Sequence, residues 1–145
     1  MEKRIDIVAL EPNAYKAMLG LEEYLAGTTL DAPTRELIKI RASQINGCAY
    51  CIHLHTAEAR KLGETEQRIY ALSAWKESPL FTDRERAALA LTDAMTLIAS
   101  DGVSQAVYEA ALKALGDNVL AEAMVQIATI NAWNRFAVAT AMTHE

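Results

Sequence analysis

Alanine occupies 27 of the 145 positions, spread along the whole chain, and runs of β-branched residues are scarce. Alanine is the strongest helix former, so this distribution favours an all-α fold. The punctuation agrees. Pro12 opens a helix that runs to about Leu25 and stops at Gly27. Asp31 to Pro33 open a second, which reaches about Ile45 before Gly47 breaks it, and a third spans about Ala49 to Leu62 with Gly63 as its stop. A short fourth covers "ETEQRIYALSAW" (64–75). The "TDRE" of Thr82 to Glu85 is a capping box that starts a fifth, ending near Asp101-Gly102. "SQAVYEAALKALG" forms a sixth, stopped by Gly116, and Asp117 caps a seventh from about Asn118 to Thr140. The N-terminal "RIDIVAL" (4–10) reads as extended or irregular. The expected architecture is about six to seven helices in a single domain over 1–145, a size that buries roughly 68–70% of the unfolded surface without staples.

Charge narrows the function classes. The formal net charge is −5 and no Lys/Arg stripe is present, which argues against nucleic acid and against anionic membrane surfaces. The N-terminal apolar stretch is interrupted by Asp6 and ends at Glu11-Pro12, too short and too charged for a signal peptide. No stretch approaches 18 uncharged apolar residues. These features predict a cytoplasmic protein, and in that compartment a C-x-x-C pair is more often catalytic or metal-binding than structural.

The two cysteines, Cys48 and Cys51, stand at the start of the third helix, followed by His53 and His55. At about 100° per residue, Cys48 and Cys51 are neighbours, and His55 lies about 40° from Cys51 on the same face. His53 falls about 200° away, on the opposite face, so the four side chains cannot close on one metal while the segment stays helical. A redox role needs a thiolate, which a helix N-terminus favours, a base near the sulfur, and a second thiol to trap an oxidised first one. All three are in place. Redox chemistry is therefore the favoured reading, with two buried, inert cysteines or a metal-binding helix as the alternatives. Glu36 lies on a helical face that leads through Ile40 and Ser43 to the cysteines. Burial there could raise its pKa and make it a proton acceptor. On spacing alone, an exposed i, i+3 pair with Lys39 is the simpler account.

The last helix is apolar over most of its circumference, through Leu120, Met124, Ile127, Ile130, Trp133 and Phe136 among others. Such a helix is buried, either in the core or against a second copy of the chain. Asn131, Asn134 and Arg135 interrupt it, and hydrogen bonds across an interface are the expected use. Trp75, Phe81 and Trp133 read chiefly as core packing, with a pocket or interface as the alternative.

Glu36, then eleven residues, then Cys48-Ala-Tyr-Cys51, then His55, resembles the core motif of the alkyl hydroperoxidase D (AhpD)-like family within the carboxymuconolactone decarboxylase superfamily. "LIKIRASQINGCAYCIHLHTAEARKLG", "SPLFTDRERAALALTDAMTLIA" and "INAWNR" extend the likeness over nearly the whole chain. The resemblance implies an all-α fold assembled as a homotrimer or homohexamer. It implies reduction of a hydroperoxide substrate by thiols, with electrons from a dithiol or protein-disulfide donor. No bound cofactor or metal is expected. Carried onto this sequence, Glu36 and His55 match the proton-relay carboxylate and histidine, Cys51 the cysteine that becomes a sulfenic acid, and Cys48 its resolving partner. The family's peroxidases carry a histidine directly before the second cysteine, where this chain has Tyr50. A disulfide reductase and a non-catalytic redox-sensing module are the alternative readings. Lactone decarboxylases of the superfamily lack the C-x-x-C.

Overall fold

The computed structural model describes residues 2 and 4–144; Met1, Lys3 and Glu145, the ends of the expected domain among them, lie outside the described residues. Among the described residues the chain forms nine α-helices and one 3₁₀ turn, with no strand. These are α1 (Ile7–Leu10), α2 (Pro12–Ala26), α3 (Ala32–Asn46), α4 (Ala49–Lys61), α5 (Glu66–Ala71) continued by the 3₁₀ turn Leu72–Ala74, α6 (Asp83–Thr96), α7 (Ile98–Asp101), α8 (Gln105–Leu115) and α9 (Asp117–Ala139). The all-α expectation holds. No helix among the described residues is long and apolar enough to cross a membrane.

The helix boundaries follow local chemistry. Asp31 caps α3 by accepting the Thr34 N–H, and Cys48 caps α4 with its sulfur. The expected capping box is complete: Thr82 accepts the Glu85 N–H while the Glu85 carboxylate accepts the Thr82 N–H. Three boundaries differ from the sequence reading. The "RIDIVAL" segment is not extended throughout, because Asp6 accepts the N–H groups of Val8 and Ala9 and nucleates α1. The expected fifth helix is divided at Leu97 (φ −97, ψ 29), outside the helical well, into α6 and α7; no Gly or Pro marks the break. The last helix starts one residue early, with Gly116 at the N-cap and Asp117 in its first turn. These divisions raise the helix count above the expected six to seven.

Helix α3 is the axis of the molecule and packs on α4, α6 and α9. One core cluster joins Ile38 to Leu91 of α6 and to Leu120, Ala123 and Ile127 of α9; another joins Leu37 and Ile40 to Leu72, Trp75, Phe81 and Leu89. Trp75 and Phe81 are thus core residues, as expected. Residue 47 joins α3 to α4 at φ 67, a left-handed conformation that glycine adopts without strain. The turn folds α4 back along α3 and fixes where the cysteines sit.

Candidate active site

The sulfur of Cys48, at the N-cap of α4, accepts the backbone N–H of Cys51 at 3.3 Å. The two cysteines are joined as a disulfide, with Cα atoms 5.3 Å apart. That separation is ordinary for such a bond, and the i, i+3 step at a helix start supplies it. The pair is buried, Cys48 at 2% and Cys51 at 4% exposure, against Ala137 of α9 and Tyr50. One turn along α4, His55 shares the Cys51 face, and its Nδ1 lies 3.2 Å from Oε2 of Glu36 on α3. The other Glu36 oxygen, Oε1, accepts from Lys39 Nζ at 2.9 Å.

Glu36 is 8% exposed, so the surface pair expected from spacing alone is not what forms. It does pair with Lys39, but from a buried position that also engages His55. Its pKa departs from expectation as well. Burial pushes the carboxyl up, but the hydrogen bond from His55 and the Lys39 ammonium together outweigh it and hold the group below its ordinary value of 4.5. The raised pKa anticipated for a proton acceptor is therefore corrected: Glu36 is a fixed anion at neutral pH. An ionised carboxylate only accepts, so His55 Nδ1 is the donor to it, and in the neutral ring the lone pair then lies on Nε2. His53 is exposed on the far side of α4, where its ring stacks on His144 at 4.4 Å between centroids. The face argument that separated the two histidines holds. Among the described residues no group of three or more His, Cys, Asp or Glu side chains comes together to hold a metal ion.

A cavity of about 340 Å³ opens over Cys51 and His55. Its walls come from α2, α4 and α9. Tyr15, Leu19 and Glu22 recur at i, i+4 and i+7 on α2, hence on one face. Leu54 joins them from α4, and Trp133, Phe136 and Ala137 from α9. Ile7 and Val8 of α1 and Met142 close it off. Cys51 lines the cavity; Cys48 does not. Tyr50, in the position where the resembling peroxidases have histidine, is also on the wall. Trp133 is a pocket residue and not core, correcting the commoner reading: its ring packs edge-on against Tyr15 and Phe136.

The polar residues of α9 also depart from expectation. Asn131 and Asn134 do not await a partner chain. Asn46 Nδ2 donates to both of their Oδ1 atoms, at 2.9 Å each, while Asn131 donates to Thr96 Oγ1 and Asn134 to Ser43 Oγ. Arg135 donates back to Asn131 within the same helix. Ser43 in turn accepts the Cys48 N–H on its carbonyl at 3.0 Å. This ladder ties α9 to the turn that presents the cysteines. Ser43 and Asn46 had no motif to announce them, and the α2 wall of the cavity carried no signal beyond its i, i+4, i+7 spacing.

The carboxymuconolactone decarboxylase family profile matches residues 12–94. YdfG of Bacillus subtilis (strain 168) is 42% identical over 139 residues, covering 96% of this chain and 95% of YdfG. A crystal structure from Agrobacterium tumefaciens superposes with a TM-score of 0.96 at 40% identity, covering 99% of both chains. Its protein is described as of unknown function and as a candidate antioxidant defence protein, AhpD. An uncharacterised peroxidase-related protein from Silicibacter sp. TM1040 superposes with a TM-score of 0.78 at 27% identity, over 88% of this chain and 68% of its own. The sequence match over more than half the chain and the near-complete structural overlap agree: this chain belongs to the carboxymuconolactone decarboxylase family and has the AhpD-like helical fold.

Proposed function

We propose that the protein is a thiol-dependent hydroperoxide reductase. The observation that carries this reading is Cys51 on the wall of an apolar cavity, with its disulfide partner behind it and the His55–Glu36 pair one turn away. In the dithiol form, the Cys51 thiolate attacks the terminal oxygen of a hydroperoxide. The O–O bond breaks, the sulfur becomes a sulfenic acid, and the departing alkoxide takes a proton to leave as the alcohol. His55, its Nδ1–H held by Glu36, handles the protons at Nε2. The Cys48 thiol then displaces hydroxide from the Cys51 sulfur, releasing water and forming the disulfide found here. A dithiol donor returns two electrons and two protons and closes the cycle.

Burial of both sulfurs favours small substrates over folded protein disulfides, and a donor slender enough to enter the cavity. Assembly as a homotrimer or homohexamer belongs to the same proposal. Exposed Leu10, Leu21 and Tyr24 on α1 and α2 supply apolar surface suited to a subunit interface. The deciding experiment takes the fully reduced protein, adds one equivalent of an organic hydroperoxide, and counts free thiols and alcohol product together. Loss of two thiols with one alcohol formed supports the reaction. Thiols that survive peroxide, or vanish without alcohol, overturn it.

A further inference from the structure

The cavity has one charged feature that the proposed chemistry does not use. Glu22, on the same α2 face as Tyr15 and Leu19, lines it beside Trp133. The Trp133 indole N–H donates to Glu22 Oε1 at 2.9 Å, which fixes the carboxylate in the wall. Among the described residues no Lys, Arg or His lies within ion-pair distance of Glu22. Glu36, by contrast, is occupied on both oxygens by Lys39 and His55. The rest of the wall is mainly apolar or aromatic. A ligand that reaches Cys51 therefore shares a small, largely apolar space with a carboxylate that pairs with no cation among the described residues.

We infer that Glu22 sets the polarity of the substrate: the cavity takes hydroperoxides with an apolar body and an uncharged, hydrogen-bond-donating or cationic far end, and rejects those that carry a carboxylate. The assignment rests on the peroxide-reduction reading for the reacting end of the ligand, and on Glu22 alone for the other. Three properties combine. Among the described residues only Oε1 of Glu22 has a hydrogen-bond partner, so Oε2 can accept from a hydroxyl or ammonium on the ligand. Among the described residues no Lys or Arg lines the cavity to receive a ligand carboxylate, and two like charges within a few ångströms repel in these mainly apolar surroundings. The Trp133 hydrogen bond keeps the Glu22 side chain from swinging away to relieve that repulsion.

The test uses one apolar frame in three charge states: cumyl alcohol, its 4-carboxy derivative and its 4-aminomethyl derivative. Binding to the stable disulfide form is read by calorimetry. The matching hydroperoxides are mixed with the reduced protein and the rate of thiol loss is followed. The anion should bind and react about ten-fold more weakly than the neutral compound, and the cation at least as well as the neutral one. Glu22→Gln, which keeps an acceptor for Trp133, should bring the anion to within about three-fold of the neutral ligand. Equal binding of anion and neutral compound to the wild-type protein overturns the inference, and that arm needs no variant. An unchanged preference in Glu22→Gln overturns it too. The two arms separate the readings. A charge order in alcohol binding with no thiol oxidation removes peroxide reduction and keeps Glu22. Thiol oxidation with no charge order in either arm does the reverse.

Discussion

Replacing Glu36 by Gln probes the least expected feature of the site, a buried anion whose proton affinity is lowered. The carboxylate holds two donors, Lys39 at 2.9 Å and His55 Nδ1 at 3.2 Å. A glutamine amide offers one acceptor and one donor. Lys39 has no acceptor, so the amide oxygen must stay with it, and the amide N–H₂ then faces Nδ1. His55 can accept that hydrogen bond only by moving its ring proton to Nε2. The nitrogen that served as base becomes a donor, the kind of tautomer reversal that disables a histidine base. Loss of positioned proton transfer typically costs about 10²-fold, and that is the expected fall in the rate of Cys51 oxidation. The stability effect is smaller than the bare charges suggest. At 2.9 Å and an effective dielectric of about 20, the Glu36–Lys39 attraction is on the order of 5 kcal/mol, but desolvation of both groups offsets most of it. Gln keeps one hydrogen bond and leaves the Lys39 ammonium uncompensated, so the expected loss is about 1–3 kcal/mol.

The pH dependence separates a fixed anion from a group that exchanges protons. Because the folded-state pKa of Glu36 lies below 4.5, its stabilising contribution is complete above the unfolded value and is lost as pH falls through the lower, folded one. Glu36's own contribution to the stability gap between wild type and Glu36→Gln should therefore be complete above about pH 4.5 and shrink below it. Stopped-flow oxidation of the reduced proteins by a hydroperoxide, over pH 5 to 9, should show the variant slowed throughout. An unchanged rate would refute any role for Glu36 in the chemistry.

Three further outcomes are expected. In Cys48→Ser, a dimedone-type reagent added after peroxide should label Cys51; a label found only on Cys48 of the Cys51→Ser protein would reverse the order of attack. His55→Ala should slow oxidation by roughly 10²-fold, whereas His53→Ala should cost little, since its ring stands on the exposed side against His144; equal losses would contradict the face assignment. Asn134→Leu should lower the stability measured in urea by about 1–3 kcal/mol, because Asn46 and Ser43 each lose a buried partner, and a neutral result would remove the ladder as a support of the cysteine turn.

The parts of this molecule that could be read from its sequence are those governed by short spacing. Gly47 and the Thr82–Glu85 box act within one or two turns, so their residue types announce them. The separation of His53 from His55 also follows from helical pitch alone. Asp6 gave the same kind of signal, and α1 went unread because one turn is too short to show a period. Glu36 was harder. Its partner on the same helix, Lys39, is visible in sequence, but His55 reaches it from another helix, and burial and pKa depend on both. Residues whose partners are all distant were misassigned. Asn131 and Asn134 read as polar breaks on an apolar helix, because nothing local tells that Asn46, Ser43 and Thr96 will meet them. The cavity was beyond reach for the same reason, since its wall draws on α1, α2, α4, α9 and Met142.

The turn at Gly47 couples these distant contacts to the thiol chemistry. The Ser43 carbonyl holds the Cys48 N–H, and the Cys48 sulfur holds the Cys51 N–H. Cys48 is therefore both the cap of α4 and the partner of Cys51 in the disulfide. Any movement that opened the pair would also uncap the helix that carries His55, at a cost typical of losing a helix cap, about 1 kcal/mol. Capping thus favours the sulfurs staying within reach when the bond is reduced, and the site does not have to be rebuilt at each cycle. The ladder from Asn134 through Ser43 steadies the same turn from α9, the helix that also supplies Trp133 to the cavity. Cys48 and Cys51 are tied by these hydrogen bonds to α9, the helix that also carries Trp133, so on the proposed function changes in α9 far from the sulfurs should reach both the thiol chemistry and substrate choice.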